Sequence, residues 1–215
     1  MTETAAPVAF DCARLRAIAL EQADPAWFEE FPANLVLRMR GSVLGSRLLA
    51  RALAERPAAV LFAEPVWPMP AQAGWLLWPR AALDELALDL AALALSASIR
   101  ATVRRDAVLR LRRVLGETRY TAALNEPSGG VGPAGFQTAL AADKTLHRYL
   151  AVQGHAELVA YAGTLHPACA DRVRLSFPPT QAPVQRQLDP LRVAAHLQQL
   201  DSVGDPSAPG QVANG

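Results

Sequence analysis

The chain has 215 residues, enough for one substantial hydrophobic core and barely enough for two small ones. With 51% hydrophobic and 19% charged residues it is too apolar for a disordered chain. A formal net charge of +1 excludes a global field that would drive it onto nucleic acid or an anionic membrane.

Lys144 is the only lysine, so arginine supplies the rest of the basic residues, and alanine is abundant. Both biases fit a GC-rich bacterial genome, so each arginine is read first as a basic residue and only then as a recognition fork. Cys12 and Cys169 form no framework, and reduced thiols are expected. The opening MTETAAPVAFDCARLR has neither a positive n-region nor a continuous apolar h-region, so no secretory signal is expected. The leucine-rich stretch 83–99 carries Asp84, Glu85 and Asp89, and its uncharged part, 90–99, is too short to span a bilayer.

In chain order, Asp11 caps a helix over 12–22 with Leu15, Ile18 and Ala19 on one face. Asp24-Pro25 reads as an N-cap and first helical residue, followed by Glu29 and Glu30 where the helix dipole favours acids. Trp27, Phe28 and Phe31 form an aromatic cluster expected in the core. A third helix covers 42–55, its buried face predicted from Leu44, Leu48 and Ala52. Pro57, Pro65, Pro68, Pro70 and Pro79, with Trp67, Trp75 and Trp78, predict an extended segment over the core; a groove for a partner is the alternative.

The centre, 80–124, is helical. Leu83, Leu86, Leu90 and Leu93 make one stripe, and Leu88, Ala92 and Leu95 a second, which marks a buried helix. A break is expected near 96–98, then a helix through Val103, Ala107, Leu111 and Val114 that Gly116 ends. The glycine- and proline-rich 126–135 reads as a loop. Two helices follow from Phe136, split near Gly154 and closed by Pro167. Residues 172–177 alternate polar and apolar and are the one strand candidate. Asp189-Pro190 opens a last helix over 191–200. The expected architecture is all-α: one domain over 1–200 and a disordered Gly/Pro/Ser-rich tail over 201–215.

Nothing in the sequence nominates a catalytic or cofactor site. The glycine-rich loop lacks the Gly-Lys-Ser/Thr of a phosphate-binding loop. His166-Pro-Ala-Cys169 has a metal-like spacing, but His147, His155, His196 and Cys12 add no paired spacing to complete a site. Gly41-Ser-Val-Leu-Gly45 opens a helix rather than a nucleophile elbow. The strongest local feature is basic. Arg100, Arg104, Arg105, Arg110, Arg112, Arg113 and Arg119 are opposed within 100–119 only by Asp106 and Glu117. A solvated face, a docking face for an acidic protein and a nucleic-acid surface all fit this pattern. The last would prefer interleaved aromatics, which are missing here.

Four segments carry a family likeness: Leu76-Leu-Trp-Pro79, Leu86-Ala-Leu-Asp-Leu-Ala-Ala-Leu-Ala-Leu95, Ile99-Arg-Ala-Thr-Val-Arg-Arg-Asp106 and Val108-Leu-Arg-Leu-Arg-Arg-Val-Leu-Gly-Glu117. Residues 75–125, with an echo in Asp24-Pro-Ala-Trp-Phe28, resemble the YscK/PscK family, the SctK-type accessory proteins of bacterial type III secretion systems. The resemblance implies an adaptor without enzymatic activity or cofactor. It would sit at the cytoplasmic face of the inner membrane, linking the SctD-type ring protein to the SctQ-type pod protein. Arg100, Arg104, Arg105, Arg112 and Arg113 are the candidate residues for one partner, and Trp67, Trp75 and Trp78 for the other. A nucleic-acid-binding regulator using the same arginines is the alternative.

Overall fold

Local signals start or stop several of the helices. The computed structural model describes residues 12–55, 59–63, 71–127, 135–179 and 187–203. Its helices are α1 (Cys12–Gln22), α2 (Ala33–Arg40), α3 (Val43–Ala54), α4 (Ala59–Ala63), α5 (Arg80–Ala94), α6 (Ser96–Arg100), α7 (Arg105–Leu115), α8 (Glu117–Asn125), α9 (Phe136–Ala139), α10 (Asp143–Leu165), α11 (Pro167–Leu175) and α12 (Pro190–Val203). Ser42 caps α3 by accepting from Gly45 N at 3.0 Å, and Asp189 caps α12 by accepting from Leu191 N at 2.8 Å. Gly116 ends α7 with a φ of 79°, a conformation that costs glycine little. Among the described residues every regular element is helical and no strand forms, so the all-α expectation holds.

The spine of the molecule is the pair α5 and α10, which pack along each other. Helix α10 has 23 residues, about 35 Å at the α-helical rise. Its buried positions 146, 150, 153, 154, 157, 158, 161 and 162 repeat at helical spacing down one side. Gly154 marks the closest approach, where a Cβ would stand 1.7 Å from the Ala87 carbonyl oxygen.

Two apolar clusters form on this spine. The first takes Leu83, Leu86 and Leu90 of α5 and Leu158, Tyr161 and Ala162 of α10, packed with residues of α1, α3, α11 and α12. The second takes Leu88, Ala91, Ala92 and Leu95 of α5 and Leu146 and Leu150 of α10, packed with α6 to α9. The two leucine stripes read from the sequence of α5 therefore each face a different cluster.

Several expectations are corrected. Helix α2 had no sequence reading. Asp24-Pro25 opens only a 3₁₀ turn, Pro25–Trp27, so Glu29 and Glu30 are not in a helix. Helix α3 buries Gly45, Leu49 and Leu53, and Leu44 and Leu48 are exposed. The segment before α5 is not simply extended, since it holds α4 and a 3₁₀ helix at Ala71–Leu77. The breaks after α5 fall at Leu95 and over 101–104. Helix α10 runs unbroken through Gly154, and Pro167 opens α11 rather than ending a pattern. The strand candidate 172–177 is the last turn of α11 and the residues after it. Helix α12 extends to Val203, past the expected start of the tail; residues 204–215 lie outside the described residues, as do 128–134 of the expected loop. No helix among the described residues is long and apolar enough to cross a membrane.

Candidate functional site

The arginine cluster divides into two populations. Helix α7 buries Ala107, Leu111 and Leu115, spaced at four residues, and so turns Arg105, Leu109, Arg112 and Arg113 to the other side. Arg110 donates from Nε to Asp143 Oδ1 at 2.9 Å and also to the Leu140 carbonyl. Arg113 donates from Nη1 to Asp143 Oδ2 at 2.7 Å. These two guanidinium groups, Arg113 foremost, hold the Asp143 carboxyl below its ordinary pKa. Arg119 bonds Asp89 and, at 2.6 Å, Glu85. Burial alone would raise the Asp89 pKa, but His196 and Arg119 bring it below its ordinary value. Arg100 donates to the Glu126 carbonyl. Arg110 and Arg113 tie α7 to the start of α10, Arg119 ties α8 to α5, and Arg100 ties α6 to the end of α8.

Arg104, Arg105 and Arg112 remain outward. Arg104 meets Asp106 at 3.2 Å with both side chains exposed. Arg112 stands 3.7 Å from Glu117 and lies over the Tyr120 ring at 5.1 Å, which fixes its plane without covering it. Arg105 makes no ion pair among the described residues. Val103, 87% exposed, and Leu109, 49% exposed, stand among them. This is a mixed basic and apolar face along α7 and the residues just ahead of it, with Arg110 and Arg113 tying the helix to Asp143.

The tryptophan half of the expected site fares differently. Trp75 is 2% exposed and its ring lies 6.1 Å from that of Tyr161, so it is core and offers no surface. Trp78 is half-buried and packs against the first cluster. Trp67 lies outside the described residues.

The polar motifs have structural partners. His166 Nδ1 accepts from Ala168 N at 3.2 Å and caps α11. Cys12 and Cys169 are free and buried, and burial pushes the Cys169 thiol up to about 12. Among the described residues no group of three or more His, Cys, Asp or Glu is placed to hold a metal. Two histidine–carboxylate contacts were not foreseen: His155 stands 3.5 Å from Asp84 and His196 3.7 Å from Asp89. His155 also stacks on Phe177 with centroids 3.3 Å apart, and its burial lowers its pKa, favouring the neutral ring.

A second exposed face was also missed. At the corner of α2 and α3, Leu37 is 61% exposed, Val43 74%, Leu44 69% and Leu48 49%. The signal was available in the rival stripe Gly45-Leu49-Leu53, which has the same spacing as Leu44-Leu48-Ala52 and contains the glycine that close packing needs. A Cβ on Gly45 would lie 2.3 Å from the Met39 carbonyl oxygen, so α3 presses this stripe onto α2 and turns its neighbour outward.

No family model matches the chain, and no curated protein or solved structure matches it. The functional reading therefore rests on residues and their geometry.

Proposed function

We propose that this chain is a structural adaptor of a type III secretion sorting platform, of the SctK type. In this reading it works at the cytoplasmic face of the bacterial inner membrane and bridges an SctD-type ring protein and an SctQ-type pod protein. The observation that carries the reading is the outward face of α7: Arg105, Leu109 and Arg112 on the helix and Val103 just ahead of it, with the helix held to Asp143 by Arg110 and Arg113. Such a face suits an acidic, partly apolar protein surface. Its aliphatic positions bury area against a partner, and its guanidinium groups select for carboxylates. The cost of ordering is low because the helix is already fixed.

Arg113 takes a structural role instead of a docking one, and Trp75 belongs to the core. The test is affinity capture of both partners by the triple variant Arg105→Glu, Leu109→Asp, Arg112→Glu. One partner should be lost and the other kept, with an unchanged far-UV circular dichroism spectrum. Retention of both partners rejects the assignment. Salt-sensitive binding of wild-type protein to oligonucleotides, abolished in the same variant, moves this face to nucleic acid instead.

A further inference from the structure

The contacts of His155 close a ring in which no residue of α7 takes part. His155 of α10 stacks on Phe177, just past α11, with centroids 3.3 Å apart and planes 15° apart. The segment it props carries the turn at 24–27. The Phe177 carbonyl accepts from Trp27 Nε1 at 2.7 Å, and the Leu175 carbonyl accepts from Asp24 N at 2.7 Å. Asp24 in turn pairs with Arg80 of α5 at 3.0 Å. Arg80 stands 3.9 Å from Asp84, and Asp84 Oδ1 stands 3.5 Å from His155 Nε2. The ring thus runs through α10, the exit of α11, the 3₁₀ turn and α5.

Within this ring, His155 is the member whose charge changes near neutral pH. Its Nε2 is buried and makes no hydrogen bond among the described residues, although a carboxylate oxygen is close by. The charged and titratable groups that face it are Asp84 and Arg80 of α5 and His147 of its own helix. Burial above all, with Arg80 and His147, opposes a charged ring and Asp84 favours one, so the pKa lies below its ordinary value. Neutral, the ring is a flat support for Phe177, itself 4% exposed. An imidazolium in the same place is desolvated and lacks a charge-assisted bond, which needs a separation of about 2.7–2.9 Å. It gains that bond, and water, by turning its edge towards the partly exposed Asp84 and away from the stack. We propose that His155 is a pH-sensitive latch: neutral, it holds the 175–177 segment and through it the turn at Trp27; protonated, it releases both. By linkage, the released state takes up the proton at about pH 6.5 and the latched state at a lower pH. The latch is therefore firm above about pH 6.5 and weakens as pH falls, by at most about tenfold per pH unit for one proton.

The experiment is nuclear magnetic resonance on the full chain, titrated across the range in which histidine changes charge. It follows the carbon-bound ring proton of His155, assigned by its loss in His155→Phe. It also follows hydrogen-exchange protection of the Trp27 indole N–H, corrected for the intrinsic pH dependence of exchange. His155 should titrate below about pH 6.5, and Trp27 protection should fall with it, by up to about tenfold per pH unit. His155→Phe keeps a flat ring on Phe177 and should make Trp27 protection independent of pH. Asp84→Asn, at a partly exposed position, is the second variant. It removes the carboxylate that assists protonation, so the His155 midpoint and the fall in Trp27 protection should move to lower pH together. A His155 midpoint above about pH 6.5 overturns the proposal, as does a Trp27 curve that stays in place when the His155 midpoint moves. An equal loss of protection at the α5 amides overturns it too, because the proton would then act on global stability and not on a latch.

Discussion

A Cβ on Gly154 would lie 1.7 Å from the Ala87 carbonyl oxygen and 2.4 Å from its carbonyl carbon. Both are backbone atoms of α5, so no side chain can swing aside, and the spine itself would have to part. Gly163, in the same helix, is different: it is exposed, and a Cβ there meets only Ala170 Cβ, at 3.7 Å. Gly154→Ala is expected to cost about 3 kcal/mol in urea denaturation through overpacking. Gly163→Ala should gain about 0.5–1 kcal/mol from helix propensity. Equal effects at the two sites would mean that the close contact carries no energetic weight. Arg172 shows the opposite economy of space. It is fully buried, and burial pulls its pKa down to about 10, so it stays charged at neutral pH. Its guanidinium is satisfied by the carbonyls of Leu76 at 3.1 Å and Trp78 at 3.3 Å, by Gln22 Oε1 at 2.7 Å and by Ser176 Oγ. One side chain thereby joins α1, the segment before α5 and α11.

Helix α12 is held by polar contacts at its entry and by Val193 and Leu197 along its length. Glu157 of α10, 1% exposed, accepts from Gln187 N at 2.7 Å and Leu188 N at 3.2 Å, immediately ahead of the helix. Gln153 also donates to it, at 2.9 Å. Removing the carboxylate orphans two backbone donors, each costing about 1–3 kcal/mol. Glu157→Ala should speed amide hydrogen exchange over 190–200 while α5 keeps its protection. A uniform rise across both helices would instead make Glu157 a determinant of global stability. Some helix ends were legible because such signals are local: Gly116, which ends α7, and Asp189-Pro190, which opens α12, each act within a few residues. What a helix buries was less legible, because that is decided by its neighbours. The rows Leu44-Leu48-Ala52 and Gly45-Leu49-Leu53 are equally periodic, and contact with α2 selects between them. Residues 172–177 misled because α11 is buried on nearly every side, including at Arg172, so helical periodicity is erased. The arginine cluster misled in charge, since Asp143, Asp89 and Glu85, which neutralise part of it, lie some thirty residues away in sequence.

At the scale of the whole molecule, the two clusters have separate peripheries and a common spine. Leu86 and Leu90 serve the first cluster, and Leu88, Ala91 and Leu95 the second, from adjacent positions of one helix. Neither cluster can lose α5 or α10 without exposing the other, so the chain should unfold as a unit. Natural probes are placed to test this. Trp27, Trp75 and Trp78 all belong to or pack against the first cluster, and no described tryptophan stands in the second. In a Trp67→Phe background, tryptophan emission thus reports on one side of the spine, while far-UV circular dichroism reports on both. Their urea midpoints should coincide. The sharper form uses Leu146→Ala, a cavity in the second cluster expected to cost about 2–5 kcal/mol. That substitution should shift the tryptophan midpoint as far as the dichroism midpoint, although Leu146 packs in the cluster without a described tryptophan. A tryptophan transition left in place while the dichroism splits would mean two independent cores, and the α7 face would then sit on a separately folding unit.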